Sequence, residues 1–262
     1  MKIKKQISFT DLIKFSFNKL YRNFGIFFDV AFVPFFIVLI LSLWTAYNDE
    51  FVLNLFEKKG IIQGMRGSVQ TRLVEFFIVT PLISVFLVSW HRFIIFNGKK
   101  PWKLSKFDLS KYTFVFIWAI FKLWLVTIVP LFFSLFLAFM LFSKVPGLLL
   151  VVGIISYLAF IFFSTRLLLI LPAAATEQDI SLKRIYMLSK GNFWKIFLIF
   201  ILSFIFFFIL LFCIAFLIEI IFPSDKNIIS WFIINFITQI GIFLYCGFNA
   251  GCLSKIYIEL KK

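Results

Sequence analysis

The sequence has few of the residues from which catalytic and metal-binding sites are built. It contains one histidine and three cysteines in 262 residues, and only 15% of its residues are charged. With one histidine, we expect neither a histidine-based metal cluster nor a catalytic triad. The cysteines form no C-x-x-C pair, which argues against a zinc site or a disulfide framework. Glycine-rich phosphate loops and nucleophile elbows are also missing. We therefore predict no enzyme activity, no catalytic residue, no cofactor site and no metal site.

Long apolar runs are what the sequence has in abundance. Hydrophobic residues make up 62% of the chain, and 42 residues are phenylalanine. A run of about 18 or more apolar residues is long enough to cross a bilayer core of about 30 Å. The runs do not alternate with period two, so helices are favoured over barrel strands. We predict an all-α integral membrane protein, residues 1–262 forming one polytopic domain. Its six spans are 24–47, 73–96, 114–142, 147–171, 193–222 and 228–250.

The basic residues are unevenly distributed between the two sides of this predicted bundle. Twenty lie in the N-terminal arm, around the connections after spans two and four, and in the C-terminus, whereas six lie in the other three connections. The positive-inside rule therefore predicts that both termini are cytoplasmic. A net charge of +15 with this distribution indicates anionic lipid headgroups as partners rather than nucleic acid. We expect a multi-pass protein of a cell membrane, a bacterial inner membrane; its protein partners are not indicated.

A pattern recurs three times along the chain. A short basic amphipathic stretch is followed by a polar or small residue, an aromatic residue and a helical hairpin. The stretches are 8–22, 103–111 and 179–190. Because each unit crosses the membrane twice, successive units have the same orientation, so we predict three parallel hairpin repeats, each led by a cytoplasmic amphipathic helix.

The first stretch predicts a helix in the headgroup plane. Ser8 and Asp11 have the spacing of a capping box, and apolar residues then recur at three- and four-residue steps opposite basic ones. Asn23 and Asn192 are expected to cap the spans that follow them, and Gly191 suits a left-handed residue that closes a helix.

Three prolines, Pro34, Pro81 and Pro130, fall inside predicted spans. Each removes a backbone hydrogen bond, which predicts kinks. Broken helices at a transport site are the alternative interpretation.

Three charged residues inside the spans are candidates for a functional layer, because intramembrane charges are costly and normally face partners or water. Asp29, Arg92 and Arg166 lie at similar depths from the predicted cytoplasmic surface. An ion pair between Asp29 and one of the arginines is one possibility. The other is that both arginines reach the headgroups while Asp29 meets local water.

Span six has a polar face formed by Asn235, Gln239, Cys246 and Asn249 on one side of a helix. Gly247 and Gly251 add a small-xxx-small motif that allows close helix approach. Helix packing through interhelical hydrogen bonds is one interpretation of this face, and a polar transport path is the other.

One segment resembles a known family. Arg166, Leu171-Pro172-Ala173-Ala174, Glu177, Ser181-Leu182 and Ser189-Lys190-Gly191-Asn192-Phe193-Trp194 are similar to the membrane-domain family of glycerophosphodiester phosphodiesterases. That family has stand-alone bacterial inner-membrane relatives of unassigned function, and the resemblance implies that this chain is similar to those relatives. It does not imply phosphodiester hydrolysis, since the catalytic residues of the linked enzymes have no counterpart here.

These observations favour a membrane scaffold or lipid-interacting module without catalytic activity of its own. The alternative is a transporter or channel, suggested by the span prolines, the polar face of span six and the intramembrane charges. A continuous polar cavity reaching the bilayer midplane would favour transport, and a filled core would favour the scaffold.

Overall fold

The computed structural model of the chain describes residues 8–59, 61–98, 111–142, 145–176, 181–221 and 228–261. Within these ranges, the side chains of residues 45–59, 61–76, 146, 215, 219 and 228–231 are not described. The described chain is helical, without strands. Its helices are α1 Phe9–Arg22, α2 Phe24–Lys59, α3 Ile61–Ile95, α4 Lys111–Phe142, α5 Pro146–Leu167, α6 Ile170–Ala175, α7 Leu182–Leu188, α8 Phe193–Ile221 and α9 Ile228–Lys261.

Six segments of these helices are long and apolar enough to cross a membrane, which confirms the predicted all-α six-span fold class. They are Phe24–Trp44, Phe77–Ile95, Lys111–Phe142, Gly147–Ala175, Phe193–Ile218 and Phe232–Lys261. The predicted lead-in stretch 103–111 and the first seven residues lie outside the described residues, apart from Lys111 at the start of α4.

Several helices extend beyond the predicted spans. The predicted connection 48–72 is helical in α2 and α3 on both sides of residue 60. This stretch contains no proline and many residues of high helix propensity, so the helix continues after the apolar run ends. At the other terminus, α9 continues from the predicted end at residue 250 to Lys261. Its last part is buried in the core, and this packing stabilises the extension.

The three span prolines do not interrupt their helices. Pro34 lies inside α2, Pro81 inside α3 and Pro130 inside α4. A membrane helix tolerates the missing hydrogen bond because neighbouring helices and side chains can compensate for it. The alternative of helices broken at these prolines is therefore wrong for this chain.

Adjacent helices pair as hairpins, and α9 lies at the centre of the bundle. The most extensive contacts join α2 to α3 and α4 to α5, followed equally by α8 to α9 and α1 to α9. In addition, α9 contacts α2, α3 and α6. Two clusters of buried apolar residues form the core, and Leu87 and Leu244 pack against both of them.

The ends of the short helices differ in part from the predictions. Ser8 Oγ hydrogen-bonds to Thr10 Oγ1 over 2.8 Å, so it does not cap α1 and the predicted capping box is wrong. Asn23 closes α1 instead of capping α2, because its backbone N–H and its Nδ2 both donate to the carbonyl of Lys19. Gly191 has φ 82°, which confirms the predicted left-handed position.

Candidate functional site at the crossing of α1 and α9

A row of small residues on α9 allows the neighbouring helices to approach closely. We call Gly247, Ala250, Gly251 and Ser254 the α9 hub; they are spaced three and four residues apart and so share one face of the helix. A Cβ atom added at Gly251 would collide with the side chain of Ser16 on α1. The small-xxx-small motif found in the sequence is therefore a point of close helix approach, as predicted.

Hydrogen bonds reinforce the α9 hub from two neighbouring helices. From α1, Ser16 Oγ donates to the carbonyl of Phe248 over 2.5 Å. From α3, Trp90 Nε1 donates to the carbonyl of Gly247 over 2.9 Å. Inside a membrane, such interhelical hydrogen bonds replace water as the partner of each polar group. The hub consequently joins α1 and α3 to α9.

The single histidine also contributes to this contact. His91 Nδ1 lies 2.7 Å from Ser254 Oγ, and the two side chains are only 1% and 0% exposed. A serine beside a histidine is the pairing that activates a nucleophile, but a reacting substrate needs access to it. Both groups are enclosed by packed side chains, so this hydrogen bond fastens α3 to α9. The sequence separation of 163 residues between them left no local motif by which to find it.

The polar face predicted on span six lies partly at a helix interface. Asn249 is buried, and its Oδ1 accepts a hydrogen bond from Ser203 Oγ on α8 over 3.0 Å. Its Nδ2 donates to the carbonyl of Tyr245 one turn earlier. Gln239 is 9% exposed, while Asn235 is half-buried. Asn249 is therefore engaged in holding α8 against α9.

Arg92 is buried beside the end of the short helix α6. Its Nη1 donates to the carbonyl of Ala175, the last residue of α6, over 3.0 Å. Its guanidinium lies 3.7 Å from the ring centroid of Tyr112. The last carbonyls of a helix have no partner within the helix and carry partial negative charge, which a cation stabilises.

Arg166 occupies an equivalent environment beside α7. Its Nη2 donates to the carbonyl of Tyr186 over 2.7 Å, and its Nε donates to Ser189 Oγ over 3.2 Å. Its guanidinium lies 3.5 Å from the Tyr186 ring centroid. Arg166 is only 7% exposed, so it fastens α5 to the C-terminal end of α7 and does not extend to a headgroup.

Asp29 does not join either arginine. It lies on the exposed face of α2, and among the residues that the structure describes it forms no ion pair with Arg92 or Arg166. The expected Asp29–arginine layer is therefore corrected. The physical reason is that Asp29 lies on the exposed face of α2, whereas both guanidinium groups are buried against helix-end carbonyls and tyrosine faces.

A cation also lies over an aromatic ring in each of the three hairpins. The cations are Arg92 on α3, Arg166 on α5 and Lys255 on α9, the second membrane-spanning helix of each hairpin. Lys255 Nζ lies 5.1 Å from the ring centroid of Phe15 on α1. Each contact joins the end of one hairpin to the beginning of another. Arg92 on α3 meets Tyr112 of α4, Arg166 on α5 meets Tyr186 of α7, and Lys255 on α9 meets Phe15 of α1.

Among the residues that the structure describes, two apolar clefts lie between helices. The α4–α5 cleft has a volume of about 270 Å³ and is lined by Pro130, Thr127, Ser134 and Ser156, among others. The hydroxyl groups of Thr127 and Ser134 donate to carbonyls of their own helix, over 2.8 Å in each case. The α1 cleft, between α1, α8 and α9, has a volume of about 210 Å³. Its lining residues are mainly phenylalanine, isoleucine and leucine. Most residues that line the α4–α5 cleft are apolar as well, so neither of these two clefts is a polar path.

Comparison with known proteins identified no relative of this chain. The sequence matches no protein-family model, and searches of curated proteins and of solved structures gave no match either. The relationship to the membrane domains of glycerophosphodiester phosphodiesterases therefore stays a prediction. Glu177 of that segment lies outside the described residues, and within the described part Arg166 contacts both Tyr186 and Ser189.

Proposed function

We propose that this protein is a membrane scaffold that interacts with lipids and has no catalytic activity of its own. One observation carries the proposal: the buried polar groups around the α9 hub bond to one another or to carbonyls instead of lining an opening. Ser16, Trp90, His91 and Asn249 all have such partners. A bundle that is joined in this way supplies a fixed surface to the bilayer, which is the property that a scaffold needs.

The proposed location is a bacterial inner membrane with both termini in the cytoplasm. The excess of basic residues beside the termini and two of the connections supports this orientation. Reporter fusions at Lys262 and thiol labelling of a Gly64→Cys variant would test it. Activity of a cytoplasmic reporter with labelling of residue 64 from outside is expected. A C-terminus accessible only from outside would reject the orientation.

Substituted-cysteine accessibility tests the scaffold against transport. Ser84 on α3 is buried and donates to the carbonyl of Thr80, and Gln239 belongs to the polar face of α9. In a chain whose native cysteines are replaced, Ser84→Cys and Gln239→Cys should resist a charged, membrane-impermeant thiol reagent from both sides of the membrane. Thr10→Cys, at an exposed position of α1, is the reactive control. Labelling of both buried positions would indicate a water-filled path and would favour a transporter or channel.

A further inference from the structure

The α1 cleft is an opening in the apolar surface close to basic side chains. Phe9, Ile13 and Phe17 of α1 form one wall, and Ile199, Leu202 and Phe206 of α8 form the other. Phe17 and Phe206 meet edge to face, with ring centroids 6.4 Å apart. Phe17, Leu202 and Phe206 are all at least 44% exposed, so the cleft opens to the surroundings of the bundle, which are lipid in a membrane.

The cleft offers almost nothing to a polar ligand. Ser203 is the one hydroxyl in its lining, and this group is directed to Asn249 Oδ1 and to the carbonyl of Phe200. An ordered water needs roughly two to four polar partners, which these walls do not supply. A saturated or unsaturated hydrocarbon chain needs none.

Its shape suits an extended apolar occupant. Phe9, Ile13 and Phe17 lie on successive turns of α1, so this cleft of about 210 Å³ follows that helix for about two turns. A single acyl chain has this elongated and apolar form.

Two lysines lie beside the cleft and provide charge for a headgroup. Lys195 is half-buried on α8 one turn before Ile199, so it lies on the helix face that lines the cleft. Lys14 is exposed on α1, three residues before Phe17. Neither lysine forms an ion pair or a hydrogen bond with another residue that the structure describes, and both can therefore approach an anion.

We propose that the α1 cleft binds one acyl chain of an anionic phospholipid from the surrounding bilayer, with the lipid phosphate at Lys14 and Lys195. The proposal rests on the proposed lipid-interacting function and specifies its ligand class and its site. The acyl chain supplies apolar contact along α1 and α8, and the two ammonium groups supply the preference for negative charge. Bound in this way, the lipid joins α1 to the membrane-spanning part of the bundle.

Native mass spectrometry of the full chain in mild detergent tests the site. The probes are dioleoylphosphatidylglycerol, dioleoylphosphatidylcholine of the same chain length, and glycerol phosphate as the headgroup alone. We expect one tightly retained phosphatidylglycerol, weaker retention of phosphatidylcholine, and no retention of glycerol phosphate. Retention of glycerol phosphate alone would identify a simple anion site and overturn the proposal. Equal retention of the two lipids would also overturn it.

Two pairs of variants assign the binding to this cleft. Leu202→Trp fills the cleft and should weaken phosphatidylglycerol binding at least about tenfold, a loss of about 1.4 kcal/mol. Leu210→Trp is its matched control, because Leu210 is similarly exposed on the same helix but lies outside the cleft. Lys14→Gln with Lys195→Gln should remove the preference for phosphatidylglycerol over phosphatidylcholine. Lys183→Gln with Lys190→Gln changes two exposed lysines elsewhere and should leave the preference unchanged.

Unchanged binding in both test variants would reject the site. If Leu202→Trp does not fold, the lysine pair alone decides, since Lys14→Gln and Lys195→Gln introduce no larger side chain. The proposed scaffold is tested independently by the cysteine labelling of Ser84 and Gln239. Protection of those residues with no lipid preference would reject the α1 cleft while leaving the scaffold in place.

Discussion

Five other helices pack along α9, where the small residues of the hub and hydrogen-bonding side chains join α1 and α3 to it. By contrast, the far halves of α4, α5 and α8 (residues 124–142, 145–160 and 204–221) expose most of their large apolar side chains. Phe132 on α4 is 67% exposed and Phe212 on α8 is 62% exposed, although both are as hydrophobic as any core residue. In a bilayer, exposure of an apolar side chain costs little, because lipid tails are as apolar as leucine. Close approach and polar pairing therefore hold the helices to one another, whereas hydrophobicity places them in the membrane.

Substitution of Arg166 should cause the largest loss in the unfolding free energy of the bundle. Arg166→Met loses two charge-assisted hydrogen bonds to α7, and we expect a loss of about 2–4 kcal/mol in unfolding free energy. Thermal unfolding in detergent measures it. Arg22→Met changes an arginine that is exposed at the end of α1 and should have little effect. Equal losses for the two variants would mean that the Arg166 contacts do not stabilise the bundle.

Adding one methyl group to the α9 hub should be the next most damaging change. The Cβ of Gly251→Ala would collide with Ser16 on α1, and we expect a destabilisation of about 1–3 kcal/mol from overpacking. Gly25→Ala is the matched control, because a Cβ there meets nothing within 4 Å. Limited proteolysis within α1 should accelerate for Gly251→Ala only. A Gly251→Ala protein as stable as the control would contradict the crossing of α1 and α9.

The contact between α8 and α9 should give a smaller, measurable coupling. In a double-mutant cycle, Ser203→Ala and Asn249→Ala should couple by about 0.6 kcal/mol, the average for hydrogen bonds between membrane helices. Thr238 provides the control, because its hydroxyl donates to the carbonyl of Ile234 on its own helix. Thr238→Ala combined with Ser203→Ala should be additive. Zero coupling between Ser203 and Asn249 would show that the observed hydrogen bond adds no cohesion.

The smallest effect is expected at Asp29. Asp29→Asn should leave the unfolding temperature unchanged, since this carboxylate is exposed and joins neither arginine. The same thermal measurement checks it. A marked loss of stability, and a smaller loss when Arg92 or Arg166 is changed as well, would reinstate the ion pair that the sequence suggested.

The membrane-spanning segments and the close approach at Gly251 were predictable because both are local signals. Run length and composition define a span, and a small-xxx-small motif lies within one turn of helix. The positions of Arg92 and Arg166 indicated a role for each, but not the partner. Two of their acceptors, the carbonyls of Ala175 and Tyr186, belong to backbone that every residue has, so the side-chain pattern could not identify these acceptors. The carboxylate of Asp29, at a similar predicted depth, suggested an ion pair with one of the arginines, and this prediction was wrong.

The contact of His91 with Ser254 and the cap at Asn23 were missed for different reasons. The first joins residues 163 positions apart, and the way in which α3 meets α9 decides it. For Asn23, propensity correctly places a capping residue between α1 and α2, but the same side chain can serve the helix before it or the helix after it. The geometry of the turn makes this choice, because Asn23 Nδ2 lies 2.9 Å from the carbonyl of Lys19.

The crossing of α1 and α9 also has a consequence for how the protein is made. Ser16 and its acceptor Phe248 are separated by 232 positions, and Leu12 and Cys252 by 240. A ribosome synthesises α1 well before the α9 hub, at about 5–20 residues per second. During this interval α1 lacks α9, the helix with which it makes its most extensive contact. Synthesis of α9 is thus the step that fixes α1 in place, and a chain truncated before residue 247 would leave α1 open to proteolysis.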